Sequence, residues 1–157
     1  MTGLGVLSPE NNDVLRRHVE AESEHRMEDT LATLTEDCVF EDHALGSVWH
    51  GREGARAYYR MWWDAFGIRP HTTARHAPAP DLMIVETRFK GRHDGVFLDL
   101  APTGREVDVP MTIFVNLANG LLRGERFYWN LGTLLEQVGV KLPVALPRGA
   151  GRVARHA

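Results

Sequence analysis

Glu41, Asp42 and His43 stand together at the end of the short apolar run Cys38-Val39-Phe40, just ahead of an aromatic-rich segment. If that run is a strand, successive side chains point to opposite sides, so only one of the two carboxylates can face the interior. A carboxylate placed in an apolar pocket has its charged form disfavoured by desolvation. This raises its pKa and makes it a stronger base while it stays ionised. His18 and Glu22 are the second candidates, because they fall on one helical stripe with Val14, Leu15 and Val19. His18 can be read as a core histidine with one hydrogen bond or as a catalytic donor. Glu22 can be read as a pocket residue or as the partner of a neighbouring arginine. His93-Asp94 lacks a third group at metal spacing, and Cys38, the only cysteine, excludes an intrachain disulfide and a thiolate cluster. No metal site and no cofactor is expected.

The elements that must position these residues follow from periodicity. Ser8-Pro9-Glu10 reads as a helix start, with a cap, a proline in the first turn and an acidic residue beside unpaired backbone N–H groups. After a break around residues 23–26, Met27, Leu31 and Leu34 continue at helical spacing, which predicts a second short helix closed by Thr35-Glu36-Asp37. Ala55, Tyr58, Tyr59, Trp62, Trp63 and Phe66 give the clearest helical rhythm in the chain, with a broad aromatic face. Beyond Gly67 the pattern turns extended, in "HTTARHA", "LMIVETRFKGRH", "EVDVPMTIFVNL" and "LLRGERFYWN", and Asn119-Gly120 signals a hairpin. Leu131 to Val138 can add a last helical turn or two. Residues 143–157 are basic, interrupted by Pro and Gly and without apolar period, and are expected to be a disordered tail behind a domain spanning 1–142.

Helices followed by antiparallel strands imply an α+β fold, with helices packed on one face of a curved sheet and a cone-shaped cavity between them. At 157 residues, 43% hydrophobic and 25% charged, the chain suits one domain with a proper core. A net charge of −3 offers no field to nucleic acid or anionic lipid, and no apolar run approaches the roughly 20 residues of a membrane span. A cytoplasmic protein is expected. There is no phosphate loop, zincin motif or serine elbow.

The order helix, short helix, "DCVFEDHALGSVWHGREGARAYY", then a meander ending "GERFYWNLGTLLEQVG" resembles the nuclear transport factor two-like superfamily over about residues 10–140. That superfamily includes ketosteroid isomerases, SnoaL-type polyketide cyclases, scytalone dehydratases and limonene epoxide hydrolases. The resemblance implies a cone-shaped α+β barrel enclosing an apolar cavity. It places the isomerase's general base on Asp42, its oxyanion-donating tyrosine on His18, and its second donor, a protonated aspartic acid, near Thr112 in "VPMTIF". "ERFYWN" is similar to the cyclase signature in which an aspartate commonly acts as acid/base. Here that position is Asn130, an amide that cannot transfer the proton and hydrogen-bonds either within the cavity or to a terminal backbone group.

Read together, Asp42 would abstract a proton beside a carbonyl while His18, Asn130 and Thr112 hydrogen-bond the resulting oxyanion. Tyr59, Trp63 and Trp129 would offer flat surface to a ring-bearing ligand, with Glu22 in the cavity and His43 tuning the carboxylate or closing the mouth. The expected activity is cofactor-independent isomerisation or cyclisation of a small cyclic ketone, polyketide or terpenoid. The alternatives are a non-catalytic binding protein of the same fold and water addition to an epoxide, for which Asp42 with Glu22 or Glu125 would supply the carboxylates. A homodimer is expected, because "MTIFV" and "RFYWN" carry more apolar strand face than one helix layer covers.

Overall fold

The structure, a computed structural model, describes residues 6–147, 149–151 and 153. Ser8 caps helix α1 (Pro9–Ser23) with its hydroxyl, which accepts from the Asn11 amide at 3.2 Å. The chain breaks at His25, held at φ 54°, and restarts as α2 (Met27–Ala32). The expected continuation of this helix through Leu34 to Asp37 does not occur. Leu34 instead opens strand β1 (Leu34–Asp42), whose buried positions are Leu34, Cys38, Phe40 and Asp42. Leu34 fits either rhythm. β-branched Thr33 and Thr35 on its two sides suit a pleated backbone, and pairing with Leu122 settles the register.

Strand β2 (Ser47–His50), too short to give a periodic signal, returns antiparallel to β1 and leads into α3 (Gly51–Phe66). The meander follows as β3 (Arg69–Ala79), β4 (Leu82–Arg92), β5 (Glu106–Ala118) and β6 (Leu121–Trp129), and α4 (Leu131–Gln137) ends the regular structure. Asn119 and Gly120, both with positive φ, make the β5–β6 hairpin turn that their types demand. The six strands lie in the order β2-β1-β6-β5-β4-β3, antiparallel except for the parallel pair β1–β6. The sheet stays open, with β2 and β3 as its edges, rather than closing into a barrel.

The inner face of this sheet is packed with rings. Trp62, Tyr58, Phe40 and Phe127 are almost completely buried, with Tyr58 4.6 Å and Phe40 5.6 Å from Phe127 between ring centroids. Burying each such side chain stabilises the fold by about 1.5–3 kcal/mol, and truncating Phe40 to alanine would cost about 3–5 kcal/mol. The α3 face therefore acts first as core. One glycine sets how closely the parallel strands approach. A Cβ at Gly124 would lie 2.2 Å from the Val39 carbonyl oxygen, where β1 shifts register against β6. That contact positions the next residue, Glu125.

Residues 148, 152 and 154–157 of the expected tail lie outside the described residues. In the described part, Leu146, Pro147 and Val153 border a cavity of about 380 Å³ against α4 and the outer side of β4 and β5, together with Arg88, Asp108 and Asn130. Among the described residues no helix is long and apolar enough to cross a membrane.

Candidate active site

His18 and Glu22, one turn apart on α1, meet two residues from other elements on the inner side of the sheet. His18 Nε2 lies 3.1 Å from the Tyr59 hydroxyl of α3, 3.7 Å from a Glu125 oxygen of β6 and 3.9 Å from a Glu22 oxygen. Its Nδ1 lies 2.7 Å from the Thr33 hydroxyl at the α2–β1 junction. The side chains of His18 and Glu125 are 2% and 7% exposed, while that of Glu22 keeps 15% and forms the edge of the cluster. Outward from Tyr59, the half-buried Trp63 is stacked between Tyr59 and His25, at 5.2 and 4.7 Å between ring centroids.

Burial governs ionisation here. Desolvation lowers the His18 pKa from 6.5 to about 4, so the imidazole is neutral at physiological pH. Desolvation raises Glu22 from 4.5 to about 7. Glu125 is driven well above the carboxylate range, by desolvation first and then by the charge of Glu22. Tyr59 is likewise raised by burial and by both glutamates, and burial with the Glu125 charge pushes the Cys38 thiol up to about 11. Two carboxyl groups that cannot both ionise thus face one neutral imidazole.

Asp42 occupies a different environment. It is 1% exposed, as the inward phase of β1 requires, while Glu41 points outward. Both of its oxygens are occupied. Tyr58 donates to Oδ2 at 2.9 Å, Trp129 Nε1 donates to both oxygens at 3.0 and 2.9 Å, and the Ala44 and Leu45 amides donate to Oδ1 at 3.0 and 2.9 Å. Taking a substrate proton would mean surrendering one of these bonds. Asp42 and His18 share no hydrogen-bond partner among the described residues, and the Phe40 ring lies edge-on to both Tyr58 and Tyr59 between the two networks.

A family model for the SnoaL-like domain matches residues 15–124, which span α1 to the first part of β6. The chain belongs to the SnoaL-like family. Among solved structures, a candidate SnoaL-like polyketide cyclase from Jannaschia sp. CCS1 superposes with a TM-score of 0.77 at 22% identity, covering 87% of this chain and 99% of that one. AclR, a candidate hydroxylase from Streptomyces galilaeus, gives 0.72 at 17% identity over 87% and 85%. A protein of ketosteroid isomerase-like fold from Catenulispora acidiphila, solved in complex with trimethylamine, gives 0.69 at 18% over 82% and 93%. These likenesses establish the nuclear transport factor two-like fold. No curated protein matches this sequence closely enough to lend it an activity.

In this SnoaL-like chain the other expected site residues are dispersed. Thr112 pairs laterally with Glu86 and Tyr128 on the outer face of the sheet, because alternation along β5 turns Met111 and Ile113 inward. Its hydroxyl is on the opposite side from His18. His43 also lies outside, 43% exposed, stacked at 4.3 Å on Tyr128 and 3.3 Å from Glu41. Asn130 caps α4, its side-chain oxygen accepting from the Thr133 amide at 3.2 Å, which accounts for an amide at that position. Trp129 is committed to Asp42 and packs edge-on to Trp62 at 5.1 Å. Tyr59, Glu22 and His18 do come together. What brings them to a common centre is Glu125, which the sequence analysis raised only for water addition. Its signal was the period-two set Glu125, Phe127, Trp129, a carboxylate in phase with two aromatics that face inward.

Proposed function

We propose that this SnoaL-like protein is a cofactor-independent acid/base enzyme of the isomerase or cyclase type, acting on a small ring-bearing ketone or polyketide-like compound, with Glu22 and Glu125 as its acid/base pair. One observation carries this reading: the Glu22 and Glu125 carboxyls converge on His18 Nε2, at 3.9 and 3.7 Å, in a buried cluster where desolvation raises both. A base works best with a pKa near the operating pH, and Glu22, held near 7 at the edge of the cluster, meets that condition. Glu125, deeper in the cluster and driven well above the carboxylate range by desolvation and then by the Glu22 charge, is assigned the proton that it gives as a hydrogen bond.

In the step proposed, the Glu22 carboxylate takes a proton from the carbon beside the substrate carbonyl. The C–H electron pair moves into the enolate, and the Glu125 O–H hydrogen-bonds to the developing oxyanion. Return of the proton to another carbon gives isomerisation. Attack of the enolate carbon on a second carbonyl gives cyclisation, the new alkoxide taking the proton back. Neither outcome consumes a cofactor. Trp63, stacked between Tyr59 and His25, closes the outer side of the cluster. The likeness to candidate polyketide cyclases supports the substrate class by family, and Asp42 anchors Tyr58 and Trp129 behind the site.

The test is exchange of α-protons for deuterium in a panel of cyclic ketones and cyclic diketones, followed by proton NMR in D₂O. The parent should accelerate exchange of at least one compound, and Glu22→Gln should lose about 10²- to 10⁴-fold of that rate. No acceleration across the panel, or full activity in Glu22→Gln, would refute the assignment and leave a binding role.

A further inference from the structure

The cluster contains a chain of hydrogen bonds whose directions can be worked out from its one fixed end. Thr33 Oγ1 lies 2.6 Å from the Thr30 carbonyl oxygen. Two oxygens so close require a hydrogen between them, and only Thr33 has one to give. The Thr33 hydroxyl therefore has no proton left for His18, whose Nδ1 is 2.7 Å away. That contact also needs a hydrogen, so Nδ1 carries it. An imidazole held neutral by burial then has a bare lone pair on Nε2. The Tyr59 hydroxyl, 3.1 Å from Nε2, must donate to it. The order is Tyr59 O–H to His18 Nε2, His18 Nδ1–H to Thr33 Oγ1, and Thr33 O–H to the Thr30 carbonyl.

This direction overturns the donor role expected for His18 on its inward nitrogen. We propose that Thr33 is a positioning residue of the site: by accepting from His18 Nδ1 it fixes the tautomer whose Nε2 takes up the Tyr59 hydrogen, so neither His18 nor Tyr59 has a hydrogen to give Glu22 and Glu125. The inference rests on the glutamate pair being the acid/base machinery. Two carboxyls offered no donor are favoured in their protonated forms, whereas an N–H there would stabilise a carboxylate. The groups facing the imidazole are Glu22 of its own helix, Tyr59 of α3, Glu125 of β6 and Thr33 itself. The Cys38 thiol of β1, raised chiefly by burial, lies near Glu125, with the Arg52 cation acting on it in the opposite sense.

Thr33→Val keeps the shape and removes the acceptor. A buried Nδ1–H facing a methyl group would be unsatisfied, so the imidazole should move its proton to Nε2 and donate to a carboxylate. Long-range ¹H–¹⁵N spectra of the His18 ring should show Nδ1-protonated imidazole in the parent and in Thr33→Ser, and Nε2-protonated imidazole in Thr33→Val. In ¹³C titrations Glu22 should move to lower pH in Thr33→Val by about 1 to 2 pH units, the size of one hydrogen bond to a charged group, and return in Thr33→Ser. An Nε2-protonated parent would overturn the proposal even if Thr33→Val failed to fold. So would an unchanged tautomer in Thr33→Val, or a changed tautomer that left Glu22 where it was. Ordinary titration of both glutamates in the parent would instead refute the acid/base reading, with the tautomer still read from the same spectra.

Discussion

Replacing Glu22 with glutamine should make the protein more stable at alkaline pH, by an amount the site's own ionisation sets. An ordinary glutamate loses its proton at 4.5, and burial holds that of Glu22 to about 7. At about 1.4 kcal/mol per tenfold, the folded state gives up about 3 kcal/mol relative to the unfolded chain once the pH has passed through that interval. The sign follows from a raised folded-state pKa: the contribution is fully present below pH 4.5 and lost as the pH rises through about 7. Glutamine resembles the protonated acid in shape and has no charge to desolvate, so it avoids the loss. His18 carries the opposite dependence. Its depressed value contributes stability above pH 6.5 that is lost as pH falls through about 4, but this is common to parent and variant and cancels in their difference. Urea unfolding at pH 4.5 should therefore find the two proteins close to equal. At pH 8 Glu22→Gln should lead by about 3 kcal/mol, or about 6–12 °C in Tm for a chain of this length. A constant offset across that range would show that Glu22 titrates normally, and the acid/base reading of the pair would fall with it.

Asp42→Asn should destabilise the fold by about 1–3 kcal/mol, since an amide nitrogen cannot accept from Tyr58 or Trp129 and leaves a buried donor unpaired. Its α-proton exchange per folded molecule should stay near the parent's, and a loss of about 10²-fold or more would return the general base to Asp42. Asn130→Ala removes the cap of α4, whose Gln137 hydrogen-bonds the Asp108 backbone through both N–H and C=O, and should cost about 0.5–2 kcal/mol in urea unfolding. The outer sheet face carries Tyr128, 39% exposed, against Phe114 and His43, with the Arg126 guanidinium over the Phe114 ring. Two copies should pair there. Sedimentation velocity at micromolar concentration should give a dimer that Tyr128→Glu dissociates, and a monomeric parent would refute this.

Much of the fold could be read from local pattern. The α3 rhythm, the Ser8 cap, the break before α2 and the Asn119-Gly120 hairpin each rest on chemistry within a few residues, so the sequence carried them in full. Leu34 was misread because one leucine satisfies both a helical and a strand rhythm, and its parallel partner Leu122 is distant in sequence. Strand β2 offered four residues and half-buried alternation, too little to count. The site was legible in its α1 and α3 parts, where His18, Glu22 and Tyr59 declared themselves as polar groups on apolar stripes. His43 lies in an exposed turn as its loop position implied, whereas Thr112 went astray through strand phase, which depends on which of two partly apolar faces the helices cover. No single-strand pattern holds that information.

The fates of Asp42 and Glu125 show what residue type leaves open. On the parallel pair β1–β6 Asp42 lies beside Phe127 and Phe40 lies beside Glu125, so the two carboxyls face the same interior two residues apart in register. Both are almost fully buried. Their difference lies in the donors within reach. Asp42 has a phenol, an indole and two amides at the β1–β2 turn, all with hydrogens to give. Glu125 has a second carboxyl, an imidazole nitrogen without a proton and a tyrosine whose hydrogen is already given to that nitrogen. A carboxyl surrounded by donors serves as a structural anchor, whereas one whose neighbours have no hydrogen to give is favoured in its protonated form. At the candidate site, which carboxyl holds a proton is therefore set by where N–H and O–H groups are already engaged, beginning with the Thr33 hydroxyl.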